Sequence, residues 1–409
     1  MDILFLGGVF PRDMDKDVLL RSKQSSVQYA ANIFQWGLID GFLGLENINL
    51  SILSAPFIGT YPRGYKDLFI KKFKYNYKNM TVLETVSFCN LWGYRNISRK
   101  RALSASIKKF VNVKSEQKVI LVYSPHTPFL QAAVYAKQQD PSIHICLVVP
   151  DVPQYMNLNE NKSKLYSILK ETDIKIFDQN TKFVDSFVLL TKHMKDIIKV
   201  GDKPYIVVEG IVNTRKMDNS SSNTIKYNKN EEKTLLYTGT LNKKFGVLNL
   251  IEAFKLVKSE NIILQICGIG DTDTIITEYA NNDSRIKFLG QITNDEVMQL
   301  QKNATILINP RQNIEEYTRY SFPSKTMEYL LSGNPVIAYK LDGIPNEYDD
   351  YLYYVENNTI EALAAKIDEV LSLSEEQREE FGKKAKDFVV NNKNNNSACK
   401  RIYQMIKER

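Results

Sequence analysis

Ile308–Ile337 reads INPRQNIEEYTRYSFPSKTMEYLLSGNPVI. The apolar run that leads into it, Thr305–Ile308 (TILI), has strand length and stops at Asn309-Pro310. A polar loop follows. Pro323 then fits the first turn of a helix, where its missing N–H costs nothing. Met327, Leu330 and Leu331 recur at helical spacing, so one side of that helix is expected to be buried. Gly333 closes it, and Pro335–Tyr339 (PVIAY) is the next apolar run. A strand, a helix and a strand, with both strands apolar throughout, make the βαβ unit of a parallel sheet covered on both faces. Ser324 and Lys325 fall at the helix N-terminus, where unpaired N–H groups and the dipole favour an anion. Glu328 lies about one turn further in, on the same face.

The same alternation extends in both directions. Downstream of Lys233, the runs Thr234–Tyr237, Ile262–Cys267 and Ile286–Leu289 read as strands, and each ends at or just before glycine. Leu248–Val257, Asp295–Gln301, Thr359–Leu373, Glu375–Val390 and Ser397–Lys407 have helical spacing. Upstream, Ile3–Leu6, Leu50–Leu53, Lys118–Tyr123, Ile143–Val149, Ser186–Leu190 and Tyr205–Val208 are a second set of strands. Between the two sets Met217–Glu232 is polar and without periodicity, as a linker would be. The fold class is α/β, with parallel sheets flanked by helices. The expected domains are 1–213, a linker 214–232, a second domain 233–390, and a C-terminal helix in 391–409 that packs back on the first. Ligands of such sheets bind beyond the carboxyl ends of the strands.

A chain of 409 residues exceeds one compact core, and its 43% hydrophobic and 25% charged residues are those of an ordinary folding chain. Met1–Leu6 lacks the basic region and long apolar run of a signal peptide. No stretch reaches the length that spans a bilayer. The four cysteines are scattered, without a C-x-x-C pair, and the three histidines are equally dispersed. Neither a disulfide framework nor a metal site is therefore expected, and a cytoplasmic location fits. Asp271-Thr272-Asp273 has the D-x-D form of some metal sites, but two acids at a helix N-terminus are what the dipole alone favours.

Phe322-Pro323-Ser324-Lys325, Glu328 and Gly333-Asn334-Pro335-Val336-Ile337 together resemble the nucleotide-sugar site of the family 4 type of retaining glycosyltransferases. The resemblance covers nearly the whole chain, strongly in its second half. It implies the GT-B fold: two Rossmann-like domains facing each other across a cleft. It also implies that Glu328 accepts hydrogen bonds from a ribose diol. The family's first glutamate would fall at Tyr320. Here Glu315 or Glu316, the Tyr320 hydroxyl, or loop amides stand in for it. Tyr237–Phe254 resembles the family's first donor-domain loop, with Thr240 and Phe245 where an Arg and a Lys are usual. A diphosphate needs positive charge and N–H donors. Gly239, Thr240 and Lys244 can supply them, and Arg311 adds a guanidinium fork. Gly268-Ile269-Gly270 matches a Gly-x-Gly turn, and Gly7-Gly8 matches the glycine turn after the first strand. His126 stands where the family places a histidine near the donor sugar. Glu209–Asn213 is similar to an interdomain segment.

Charge is uneven. Between Arg63 and Lys118 fourteen basic residues face three acids, so this segment carries +11 and the rest of the chain nets −4. An anionic partner is expected there. Lys66–Lys78 (KDLFIKKFKYNYK) interleaves aromatics with lysines, as a segment lying on an anionic membrane does. The expected function is transfer of a hexose-type sugar from a UDP- or GDP-sugar to a hydroxyl of a lipid-linked glycan, with retention, in surface polysaccharide assembly. The donor is a substrate, and no cofactor, metal or nucleic acid is expected. The location would be cytoplasmic, or peripheral on the inner face of the plasma membrane. Two other functions fit the same residues: a sugar-nucleotide-binding or membrane-surface protein without catalysis, and a sugar-nucleotide epimerase on the same fold.

Overall fold

A computed structural model describes residues 1–11, 14–23, 29–78, 81–153, 164–212 and 232–408. The expected linker, 214–232, lies outside the described residues apart from Glu232. The chain divides into two compact units, Met1–Ile211 with Asn395–Arg409, and Val212–Asn394.

The first unit is built on β1 (Asp2–Gly7), β2 (Asn49–Ser54), β3 (Phe69–Ile70), β4 (Lys74–Asn76), β5 (Val82–Thr85), β6 (Phe88–Cys89), β7 (Lys118–Tyr123), β8 (His144–Val149), β9 (Ser186–Leu189) and β10 (Tyr205–Val207). Eight of them form one sheet in the order β10-β9-β8-β7-β1-β2-β5-β4, while β3 and β6 pair separately. Neighbours along the large sheet run parallel except β4, which is antiparallel to β5. β7 and β9 are buried along their whole length, as expected of strands covered by helices on both faces. The helix Asn395–Lys407 belongs to this unit. Its Ala398, Cys399, Ile402 and Ile406 join Trp36, Leu38 and Phe42 of the helix Tyr29–Leu43 in one core.

Lys66–Lys78 departs from the expectation of a lysine-studded surface segment. It supplies β3 and β4, and Phe73, Tyr75 and Tyr77 pack against the unit's core. Tyr77 also donates to the buried Asp40 at 2.9 Å. The apolar side assigned to a membrane is thus largely turned inward, although Phe69 stays exposed.

The second unit holds β11 (Lys233–Thr240), β12 (Ile262–Ile269), β13 (Ile286–Gly290), β14 (Ile306–Asn309), β15 (Val336–Tyr339) and β16 (Tyr353–Val355). They form an all-parallel sheet in the order β13-β12-β11-β14-β15-β16. This is the doubly wound order in which the chain builds outward on one side of its first strand and then on the other. The helices carry the expected start signals. Thr293 and Glu296 form a capping box ahead of Asn294–Asn303, and Ser374 and Gln377 form another ahead of Glu375–Asn392.

Candidate functional site

In the second unit the strand order reverses between β11 and β14, so the ends of these two strands mark the crevice where such sheets take ligands. The loop after β14 leads to the helix Ser324–Ser332. Pro323 is its N-cap rather than its first helical residue, with φ −67° and ψ 106° and no capping side chain. Thr326 N–H is taken by the Pro323 carbonyl at 2.9 Å. A buried tyrosine holds the helix in place: the Tyr329 hydroxyl donates to the Thr238 carbonyl at 2.9 Å and accepts from Thr238 N–H at 2.8 Å. Gln301 donates to the Thr238 hydroxyl at 3.0 Å, and Asn309 reaches the Thr326 hydroxyl at 3.3 Å. The helix N-terminus is thereby fixed to the ends of β11 and β14.

Arg311, two residues past β14, is the main charge of this crevice. Its guanidinium lies over the rings of Tyr317, 4.6 Å away, and Phe245, 5.4 Å away. It donates to the Ser321 hydroxyl at 2.8 Å, while its Nε is buried without a partner. Burial disfavours its charged form. Among the described residues no carboxylate pairs with it. Lys325 and Glu328 pair with each other at 2.5 Å, both side chains being partly exposed. Such a pair is worth at most about 1 kcal/mol, so a ligand exchanges with it at little cost.

The remaining sequence expectations distribute as follows. Gly239 is half-buried next to the end of β11, and Thr240 and Lys244 are exposed. Asn242 and the Lys243 N–H are both held by the Asp271 carboxylate, at 2.8 and 3.1 Å, and Asp273 accepts from Gly270 N–H at 2.8 Å. The two D-x-D carboxylates therefore brace loops. Gly268 and Gly270 have a packing reason to be glycine: a Cβ would come within 1.8 Å of the Gly239 carbonyl oxygen and 2.1 Å of the Leu241 carbonyl oxygen. Glu316 is exposed and Tyr320 half-buried on the short 3-10 turn Glu316–Tyr320. Phe245, Tyr317 and Ser321, which seat Arg311, were not singled out as ligand-site residues. Loop aromatics gain that meaning only when the fold sets them beside a guanidinium.

The first unit has its own reversal, between β1 and β7. Gly8 lies just past β1 with its N–H donated to Gln35 at 2.9 Å, and the ring of Phe57 fills the space where a side chain would start. His126 is half-buried just past β7, at the N-cap position of the helix Thr127–Gln139 but without a side-chain capping bond. Its ring stacks on Phe57 at 5.7 Å and packs on Phe129 at 4.9 Å. Burial, with Arg99 and Arg95 nearby, holds it well below the usual imidazole range. Arg99 was not singled out beyond its charge. The signal was its place on the buried stripe Arg99, Leu103, Ile107 and Phe110 of the helix Arg95–Val111.

Two doubly wound sheets flanked by helices, one parallel throughout and one parallel except for its edge strand β4, are the architecture of the GT-B fold. Residues 220–388, less than half of the chain, match the model of the family Glycosyl transferases group 1. No curated protein matches the sequence. Among solved structures, the fold is similar to that of Anabaena HepE in complex with UDP, at 11% identity and a TM-score of 0.64 over 100% of both chains. Sucrose-phosphate synthase from Thermosynechococcus elongatus is similar at 15% identity and a TM-score of 0.64, over 100% of this chain and 99% of that one. The lipopolysaccharide outer core galactosyltransferase WaaB is similar at 14% identity and a TM-score of 0.60, over 100% of this chain and 99% of that one. The chain therefore has the GT-B fold, and its second unit is similar to the group 1 glycosyl transferases.

Proposed function

We propose that this protein transfers a hexose-type sugar from a UDP- or GDP-sugar to a hydroxyl of a glycan acceptor, with retention at the anomeric carbon. The observation that carries this is Arg311, half-buried at the β11/β14 switch point without a carboxylate among the described residues, and bonded to the loop that feeds the helix Ser324–Ser332. A bound diphosphate supplies the missing anion. Arg311, Lys325 and the first N–H groups of the helix hold it as it departs, and that stabilisation lowers the barrier. Glu328 exchanges its bond to Lys325 for the ribose diol. Support comes from the group 1 family match over this unit. It also comes from HepE, solved with UDP, with UDP and glucose, and with UDP-glucose.

In this reading the first unit takes the acceptor, and His126 serves the sugar. With Glu316 exposed on its turn, transfer follows a same-face, ion-pair route rather than a glycosidase-like nucleophile. Neither a cofactor nor a metal is part of the scheme. A lipid-linked glycan of surface polysaccharide assembly, at the inner face of the plasma membrane, is the acceptor we favour. Among the described residues no helix is long and apolar enough to cross a membrane.

A thermal-shift series with UDP, GDP, ADP and their sugars tests the donor. A ligand at a hundred times its Kd adds about 2.7 kcal/mol. UDP or GDP should raise the unfolding temperature, and NMR of the product should show the donor's anomeric configuration kept. Indifference to every nucleoside diphosphate would sink the reading. Binding without product against any acceptor would favour the non-catalytic alternative, which Tyr320 in place of a glutamate also favours.

A further inference from the structure

Among the described residues, four of the fourteen basic residues between Arg63 and Lys118 pair with carboxylates. Lys72 and Lys109 share Glu84, Lys78 approaches Asp40 at 4.0 Å, and Lys118 pairs with Asp140. Arg95 and Arg99 are different. They stand one turn apart on the helix Arg95–Val111 and lean over the loop that leaves β2. Arg95 donates to the Ile58 carbonyl at 2.9 Å, and Arg99 donates to the Pro56 carbonyl. The Arg99 guanidinium covers the ring of Phe88 at 4.6 Å and lies 3.4 Å from His126 Nε2.

Arg99 is only 1% exposed. Its Nε and the His126 Nδ1 are both buried without partners. Among the described residues no carboxylate pairs with Arg95, Arg99 or His126. A guanidinium does not shed its proton inside a protein. Burying one unpaired costs several kcal/mol, and the Pro56 carbonyl returns only part of it. Two such charges within one turn, with a half-buried histidine and a helix N-terminus beside them, make a site lacking its anion. Arg95 and His126 are only partly covered, so an anion reaches the cluster from their side.

We propose that Arg95 and Arg99, beside His126, bind a phosphate group carried by the acceptor. The inference rests on the first unit being the acceptor side and makes that acceptor a phosphorylated one. The phosphate belongs either to a soluble phosphomonoester or to a lipid headgroup. Its chemistry is the same in both: a tetrahedral dianion or monoanion met by two forks.

The experiment uses the full chain with UDP and GDP at saturation, so that the crevice of the second unit is already filled. Nucleoside diphosphate binding is measured first, which keeps a failure of the donor reading separate. Inorganic phosphate is then titrated against chloride at equal ionic strength, with unfolding read by tryptophan fluorescence. Both tryptophans, Trp36 and Trp92, lie in the first unit. Phosphate should raise the midpoint beyond chloride. Arg95→Gln should weaken phosphate binding by about tenfold or more. Arg99→Met, which keeps the bulk and deletes the charge, should abolish the response while leaving the anion-free protein as stable or more so. If Arg99→Met does not fold, Arg95→Gln decides the matter. Glycerol 3-phosphate competing with phosphate marks a soluble source. Binding to phosphatidylglycerol vesicles but not phosphatidylcholine vesicles, reversed by phosphate, marks a lipid headgroup. Equal response to phosphate and chloride, an undiminished response in Arg95→Gln, or displacement of phosphate by the nucleotide would each overturn the proposal.

Discussion

Arg99 is a guanidinium that the fold has taken from water, Arg311 is half-buried, and among the described residues neither has a carboxylate. A residue in that position is held against its own desolvation by packing and by hydrogen bonds to neutral groups. For Arg311 these are the Tyr317 and Phe245 rings and the Ser321 hydroxyl. Stability and binding should therefore separate when the charge is removed and the bulk kept. In Arg311→Met, urea unfolding should stay within about 1 kcal/mol of the parent or improve. Nucleoside diphosphate affinity should fall by about tenfold or more, as loss of a charged hydrogen bond implies. Equal losses of stability and affinity would show a structural residue instead. Glu328 and Lys325 were legible from sequence because a helix start fixes which residues share its first turns. The partners of Arg311 were not, because they come from loops on either side of two strands.

The element that matters most for the crevice is the helix Ser324–Ser332. It has nine residues and no capping side chain, too little to stand alone in water. Its place comes from Met327 and Leu330 buried beneath it and from Tyr329, whose hydroxyl spans the Thr238 backbone. Tyr329→Phe leaves a buried N–H and carbonyl at the end of β11 short of a partner. That should cost about 1–3 kcal/mol in urea unfolding and weaken nucleotide binding alongside. A variant that binds normally and unfolds at the parent's midpoint would show that the tyrosine does not anchor the helix. The fate of Lys66–Lys78 is the converse case. Its alternating apolar and basic residues suited a surface segment. Pairing of β4 with β5 turned Tyr75 and Tyr77 onto the core, and a register set by a distant strand is invisible in local pattern.

At the scale of the whole molecule, the chain leaves the first unit at Ile211 and returns to it at Asn395. The returning helix fills the first unit's core with Cys399, Ile402 and Ile406, each almost fully buried. The two isoleucines each contribute about 1.5–3 kcal/mol by burial, so a chain ending at Asn394 should lose several kcal/mol from the first unit alone. Trp36, packed in the same core, makes the loss visible. The tryptophan unfolding transition of the truncated chain should move to lower urea or vanish, while the second unit keeps its nucleotide response. An unchanged transition would show that this helix adds little to the unit.

The sequence by itself determined the α/β class, the strands of both sheets other than β4, β5 and β16 at their edges, and the strand–loop–helix that ends in Lys325 and Glu328. These follow from local rules: apolar runs, helical spacing, caps and glycine exits act within a few residues. Only the tertiary structure decided that Arg311 sits between two rings, that Gly268 and Gly270 serve backbone packing, and that Arg95 and Arg99 meet His126 with no acid beside them. Whether a charge is compensated depends on neighbours that the fold, and not the order of residues, brings within a few ångströms.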